Sequence, residues 1–394
     1  MTDVAATLEE LRQAGLFRER RVIQGPQGAH VSLDGRSVLL LCSNDYLGLA
    51  GHPAVRAAAA DAAQRWGAGA GASPLVSGHM ALHRHLESEL AAFKGSEACV
   101  LFGSGFLANT GVLAALAGRG DVILSDALNH ASIVDGCRLS RAETVVYAHA
   151  DLDALADGLR RAGDRQATVV TDAVFSMDGD LAPLQGIVEL ARSHGARVVV
   201  DEAHATGVVG PGGRGLAAHL GLEHEIDVVI GTLGKALGSY GAFACCNTQT
   251  ANYLVNRART LIYSTALPPP ALGAALRALQ LLREQPEIVD HLHANARALR
   301  EELALGGFDV EPGTMPIVPI LVGDPSEAVA LCEEALRRGT FAQAIRPPTV
   351  PDGTSRLRAV AMASHEQPDL RAAARTIAAA AHELGLDAIA PAQR

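Results

Sequence analysis

Between residues 98 and 246 seven short apolar runs alternate with stretches long enough for helices, and this alternation constrains the fold more than any other feature. The runs are Ala98 to Phe102, Val122 to Leu124, Thr144 to Tyr147, Thr168 to Thr171, Arg197 to Val200, Val228 to Ile230 and Ala242 to Cys245. Unbroken runs such as Val198-Val199-Val200 suit strands buried on both faces, and intervals that fit crossover helices predict a mostly parallel seven-stranded sheet. Ligands of such α/β sheets sit beyond the carboxyl ends of the strands. The polar residues fall there: Ser104 and Gly105, Asp126 and His130, Asp172 and Ser176, Asp201 and His204, Thr232 and Lys235.

The flanks read differently. Residues 1 to about 44 predict a charged helix, Leu8 to Arg21, and a hairpin around Asp34-Gly35. After Leu267-Pro268-Pro269-Pro270 comes a long Ala/Leu-rich helical region, then strand candidates Ile317 to Val322, Ala344 to Arg346 and Leu357 to Ala361. Helices around Glu327 to Arg338 and Asp369 to Glu383 alternate with them, which predicts a smaller α+β C-terminal domain. The expected division is an N-terminal helix and arm over 1–44, a large domain over 45–275 and a small domain over 276–394.

A chain of 394 residues with 48% hydrophobic and 19% charged residues folds throughout rather than staying disordered. Its net charge of −10 disfavours nucleic acid or an anionic membrane as the main partner, so any anionic ligand must be held by local groups. The start, Met1-Thr2-Asp3-Val4-Ala5, has no basic segment leading into an apolar one, and no apolar run approaches the roughly 18 residues of a membrane span. The expected location is the cytoplasm. Six scattered cysteines without a C-x-x-C pair read as reduced, buried side chains.

Three motifs carry chemistry. In Thr232-Leu233-Gly234-Lys235-Ala236-Leu237-Gly238, small residues flank a lysine at a strand end, where a desolvated amine can form a Schiff base. In Val200-Asp201-Glu202-Ala203-His204 a carboxylate closing a buried strand can keep a heterocyclic nitrogen protonated, with His204 within reach of the same ligand. Gly103-Ser104-Gly105-Phe106-Leu107-Ala108 matches G-x-G-x-x-A, the turn that sets a phosphate on a helix N-terminus. With Asp126 as a ribose-binding acid, that turn also suits an NAD-dependent dehydrogenase. His79 and His83, spaced i and i+4, would share a helix face with Glu87 or Glu89 nearby, but no remote ligand set accompanies them, and no metal is expected. Arg18, Arg20 and Arg21 form a solvated helix end or a dock for an anionic substrate tail.

Taken in order, the phosphate turn, Asn129-His130-Ala131-Ser132, Asp201-x-x-His204 and Thr232-x-x-Lys235 resemble the α-oxoamine synthase family of fold type I pyridoxal-phosphate enzymes. Ser43-Asn44-Asp45-Tyr46-Leu47-Gly48-Leu49, Val174 to Asp180 and Ile262-Tyr263-Ser264-Thr265 extend the resemblance, which runs from Arg18 to about His365. The stretches Ile345 to Pro351 and Gly353 to Arg358 look most like the branch that joins L-alanine to a pimeloyl thioester, of CoA or acyl carrier protein, with loss of carbon dioxide. A relative that joins glycine to acetyl-CoA is the alternative. Pro74 after Ser73, and Ala205, depart from the family pattern and bear on acyl-group choice.

The resemblance implies roles for individual residues. Lys235 would bind pyridoxal 5'-phosphate covalently and act as base, Asp201 would hold the ring nitrogen protonated, and His130 would stack on the ring. His204 would contact the phenolic oxygen or orient Asp201, with Ser176 a second candidate for that oxygen, while Gly105, Phe106 and Thr232 would take the phosphate. Ser264 or Thr265 would reach the phosphate of a second copy, making the enzyme a homodimer with interfacial sites. Arg358, Asn44, Arg18 and Thr349 would bind substrate.

Overall fold

All seven expected runs are strands in the computed structural model, which describes residues 3–386. They are β1 Ala98–Phe102, β2 Val122–Asp126, β3 Glu143–Tyr147, β4 Ala167–Asp172, β5 Arg197–Asp201, β6 Val228–Thr232 and β7 Ala242–Cys246. Their order across the sheet is β1-β7-β6-β5-β4-β2-β3. The five strands from β6 to β3 run parallel, and β7 is antiparallel to both β6 and β1. Strands β2, β4 and β6 are buried at every residue, as continuous β-branched runs require, whereas the edge strand β3 exposes Val146.

Small residues set how closely the helices approach this sheet and one another. A Cβ on Gly136, in the helix Ala131–Ser140, would lie 3.0 Å from the Asn109 carbonyl oxygen of the helix Gly105–Leu116. Within the sheet Gly231 of β6 is paired with Phe243 of β7, and a Cβ there would sit 2.2 Å from the phenylalanine ring. The ring lies over the glycine backbone, fully buried.

The described residues of Met1–Gly51, Met177–Gly179 and Asp290–Arg394 form one compact unit, and His52–Ser176 with Asp180–Val289 form a larger one that holds the seven-stranded sheet. The arm expected over 1–44 thus clusters with C-terminal residues, and the boundary expected at 275/276 falls inside the helix Pro269–Glu284. That helix packs within the larger unit, where a Cβ on Gly273 would touch Ala58 and Ala62. The smaller unit contains a four-stranded sheet and a three-stranded antiparallel one, Ile317–Gly323, Ser355–Val360 and Gln343–Ile345. The hairpin His30–Leu33 and Arg36–Leu40 turns at Asp34 (φ 51°) and Gly35 (φ 75°), a two-residue turn with both φ angles positive.

One helix is shorter than its sequence suggests. It spans Val4–Gln13, capped by the Asp3 carboxylate accepting from the Ala5 and Ala6 amides, and it stops before Gly15 at φ 66°. Arg18, Arg20 and Arg21 therefore lie beyond the helix and do not form its end.

Gly231→Ala should destabilise the protein by about 1–3 kcal/mol through overpacking. Urea unfolding measures it, and adding Phe243→Leu should recover part of the loss, because the two changes share one contact and are not additive.

Candidate active site

β5 delivers Asp201 to the carboxyl end of the sheet with only 4% of the residue exposed. Its Oδ1 accepts from the Ala203 amide at 2.8 Å and its Oδ2 from Asn109 Nδ2 at 2.6 Å. The same Asn109 nitrogen donates to Ser132 Oγ at 2.9 Å, and Ser132 Oγ lies 2.7 Å from His130 Nδ1. One amide thus links the Asp201 carboxylate to the His130 ring. Ser132 stands in the sequence motif Asn129 to Ser132, whereas Asn109 belongs to none. A polar residue in the apolar helix Gly105–Leu116 is the signal that could have found Asn109.

His130 caps the helix Ala131–Ser140, its Nδ1 accepting from the Ser132 amide at 3.2 Å. Its own amide donates to Asp172 Oδ2 at 2.7 Å, which ties the end of β4 to the loop after β2. The residue as a whole is exposed. Desolvation pushes the His130 pKa below its ordinary value, with Asp201 opposing and the Lys235 cation adding to the fall. Burial and the neighbouring Asp201 carboxylate push Asp172 well above the usual carboxylate range.

Lys235 lies in the loop between β6 and β7, with Nζ 2.8 Å from His204 Nε2. An ammonium has no acceptor, so this contact takes Nε2 in its unprotonated form whenever Lys235 is charged. The Thr232 hydroxyl closes the base of the loop by donating to the Gly241 carbonyl at 3.1 Å and accepting from the Gly234 amide at 3.2 Å.

The helix Gly105–Leu116 begins at the end of β1. The Ser104 hydroxyl accepts from the Leu107 amide at 3.2 Å, so the first-turn amides left to other acceptors are those of Gly105 and Phe106. A Cβ on Gly105 would meet nothing within 4 Å, so the helix start is unobstructed on the side of that glycine.

Ser176 follows β4, half-buried, in a loop closed by the Phe175 amide donating to the Asp180 carbonyl at 3.0 Å. His149, also not singled out in the sequence, bridges Asp126 Oδ1 (Nδ1, 3.0 Å) and Asp180 Oδ2 (Nε2, 2.8 Å), with its ring edge-on to Phe175. Asp126 further accepts from the Leu128 and Ala150 amides. Its acceptor capacity serves this corner of the fold, and the ribose-binding role that a dehydrogenase would need is not available to it.

Ser264 and Thr265 line a cavity of about 320 Å³ on the β1 side of the larger unit, with Phe102, Gly103 and Leu75 among its walls. His79 and His83 border it too, but not as a metal pair. His79 precedes the helix Ala81–Lys94 and lies 2.9 Å from Glu87, while His83 Nδ1 accepts from the Met80 amide and Nε2 donates to the Leu267 carbonyl.

The remaining expected residues belong to the smaller unit. Arg358, 6% exposed on Ser355–Val360, donates to Asn44 Oδ1 at 3.1 Å and to the Tyr46 hydroxyl at 3.3 Å. Burial raises the Tyr46 pKa above its ordinary value against the pull of Arg358. Arg18 donates to the Pro347 carbonyl at 3.1 Å, and Thr349 is exposed.

Residues 36–377 match the model of the aminotransferase class I and II family, and the chain belongs to that family. More narrowly, it is 50% identical over 389 residues to the 8-amino-7-oxononanoate synthase of Citrifermentans bemidjiense, covering 98% of this chain and 100% of that one. The enzyme of the same name from Anaeromyxobacter dehalogenans is 53% identical over 363 residues, covering 92% and 91%. Among solved structures, serine palmitoyltransferase from S. paucimobilis with a bound PLP–myriocin aldimine is similar at TM-score 0.93 and 32% identity, over 97% of this chain and 98% of that one. The 8-amino-7-oxononanoate synthase of Francisella tularensis gives 0.76 at 27% identity, over 88% and 99%.

The two carboxylates at His149 hold its pKa at about 10, above the ordinary 6.5. A raised histidine stabilises the fold fully below the lower value and loses that contribution as pH rises through the higher one. The difference in unfolding free energy between wild type and His149→Gln should therefore be largest below pH 6.5 and shrink toward pH 10, as denaturant titrations across that range would show.

Proposed function

We propose that this chain is an 8-amino-7-oxononanoate synthase, a pyridoxal-phosphate acyltransferase that condenses L-alanine with a pimeloyl thioester, of CoA or acyl carrier protein, and releases carbon dioxide and the thiol. The observation that carries the reading is the gathering, in one unit, of Lys235 against His204, a buried Asp201 carboxylate and the open helix start at Gly105. These are the groups that a pyridine aldehyde with a phosphate needs: an amine for its carbonyl, an anion for its ring nitrogen and a dipolar cradle for its phosphate. The chain's likeness to curated 8-amino-7-oxononanoate synthases then supports the substrate choice.

When bound, pyridoxal phosphate supplies an electron sink for charge developing at the amino acid's Cα. Lys235 holds the cofactor covalently and, once released, takes the Cα proton on Nζ. Asp201 keeps the ring nitrogen protonated, held in place by the Asn109 and Ala203 donors. His130 would lie against the ring, its imidazole held by Ser132 and its backbone amide by Asp172. His204 and Ser176 serve the phenolic oxygen, and the Gly105 and Phe106 amides with Thr232 serve the phosphate. Arg358 takes the amino-acid carboxylate, backed by Asn44, while Arg18 and Thr349 serve the substrate.

The working unit in this reading is a homodimer, with Ser264 and Thr265 of one copy at the phosphate of the other. Exposed Leu75 beside them supports an apolar contact there. The place of action is the cytoplasm. Its support is that all six cysteines are free thiols, as a reducing compartment keeps them. Among the described residues no helix is long and apolar enough to cross a membrane.

Product analysis by mass spectrometry tests the reaction. Across a matrix of amino acids and acyl thioesters, L-alanine with a pimeloyl thioester should give the highest turnover. Preference for glycine with acetyl-CoA would make the chain a glycine acetyltransferase instead.

The shared site has its own test. Thr265→Asp places a carboxylate against the phosphate and Lys235→Ala removes the amine, so each variant alone should be inactive. Mixed dimers refolded from the two should regain activity at the one site that combines both intact residues, and heterodimers that stay dead would assign each site to a single chain.

A further inference from the structure

Directly behind Asp201 and His204 lies a second charged cluster, sealed from solvent and without a role in the chemistry above. Lys94, the last residue of the helix Ala81–Lys94, is buried, with 2% of its side chain exposed, and its partner Glu202 has none. Lys94 Nζ donates to Glu202 Oε2 at 2.6 Å, to Thr206 Oγ1 at 2.7 Å and to the Arg214 carbonyl at 2.7 Å. All three hydrogens of the ammonium are thereby used. Glu202 Oε1 accepts from the Ala217 amide at 2.8 Å. The cluster is packed without slack: a Cβ on Gly215 would come within 1.9 Å of the Glu202 carboxylate.

Chain order gives this cluster its meaning. Asp201, Glu202, His204 and Thr206 lie within one tight turn, in which the Ala205 and Thr206 amides both donate to the Glu202 carbonyl. The first and third of these side chains meet Asn109 and Lys235, and the second and fourth meet Lys94. The turn is gripped on both sides of the acid and the imidazole that face the cofactor groups.

We infer that Lys94 is a positioning residue: by binding Glu202 and Thr206 together it fixes the turn that aims Asp201 and His204, and its charge offsets a carboxylate buried next to Asp201. Removing one partner of a buried pair leaves the other uncompensated, whereas a geometric shift of about 1 Å in a catalytic constellation can cost about 10²-fold in rate. The inference rests on the reading that Lys235 carries pyridoxal phosphate.

Lys94→Met and Thr206→Val, each loaded with pyridoxal phosphate beside wild type, provide the test. Lys94→Met leaves Glu202 unbalanced, so the pH at which the visible absorbance of the Lys235-bound cofactor titrates should rise, with kcat lower by about 10²-fold. KM for alanine should stay within about twofold, because no substrate contact is lost. The isosteric Thr206→Val removes one of the three acceptors, keeps the fold and should lower kcat by a smaller factor, again with KM unchanged. A folded Lys94→Met with the wild-type titration midpoint and kcat, however much its melting temperature falls, would overturn the inference. If Lys94→Met does not fold, Thr206→Val with wild-type kcat overturns it in the same way. Wild type that shows no visible absorbance after loading would instead sink the reading of Lys235 on which the inference stands.

Discussion

The Asp201 carboxylate, almost dry at the end of a strand buried from Val198 onward, is the group around which the larger unit is organised. An uncompensated charge in such a place costs several kcal/mol, about enough to erase a domain's net stability. The structure meets that cost with directed donors: the Ala203 amide and the Asn109 side chain, one on each oxygen. Asp172, at the end of the neighbouring strand, meets it differently, since burial beside Asp201 favours its protonated form. Two acids at paired strand ends are thus accommodated in different ways, one by directed donors on both oxygens and the other by a raised pKa.

Much of the larger unit was legible in the sequence because its signals are local. Continuous runs such as Val198-Val199-Val200 name buried strands without reference to the rest of the chain, and the glycines of Gly103-Ser104-Gly105 mark a strand-to-helix turn by their spacing. Lys235, His204 and Asp201 stood out for the same reason, each lying at or just past a strand end. The N-terminal helix was misjudged because charged residues through Arg21 continue a helical composition, and the left-handed glycine at position 15 that ends the helix carries little weight in a pattern of that kind.

What escaped the sequence reading depends on long separations. Asn109 reaches Asp201 across 92 positions, His149 reaches Asp180 across 31, and Lys94 reaches Glu202 across 108. None of these residues belongs to a motif, and each by itself reads as an ordinary polar residue on a helix or loop. Their meaning comes from the packing of helices and loops on the sheet, which brings residues distant in the chain together around Asp201 and its neighbours. Asp126, by contrast, has a motif-like spacing and yet is committed to His149 and two backbone amides, so spacing alone overstated its freedom.

These buried polar contacts form layers. In front are Gly105, with open space where a Cβ would stand, and the exposed His130. Behind them Asn109, Ser132 and Asp172 spend their hydrogen bonds on the residues in front. Behind Asp201 in turn, Lys94 and Glu202 are closed on every side, with all of the lysine's hydrogens used. The groups in front are accessible while both layers behind them are buried, as expected where reactive groups must be reached and their supports exclude water. A lysine in the rearmost layer is costly to bury, and its retention there is intelligible if the turn bearing Asp201 and His204 must hold one orientation rather than several of similar energy.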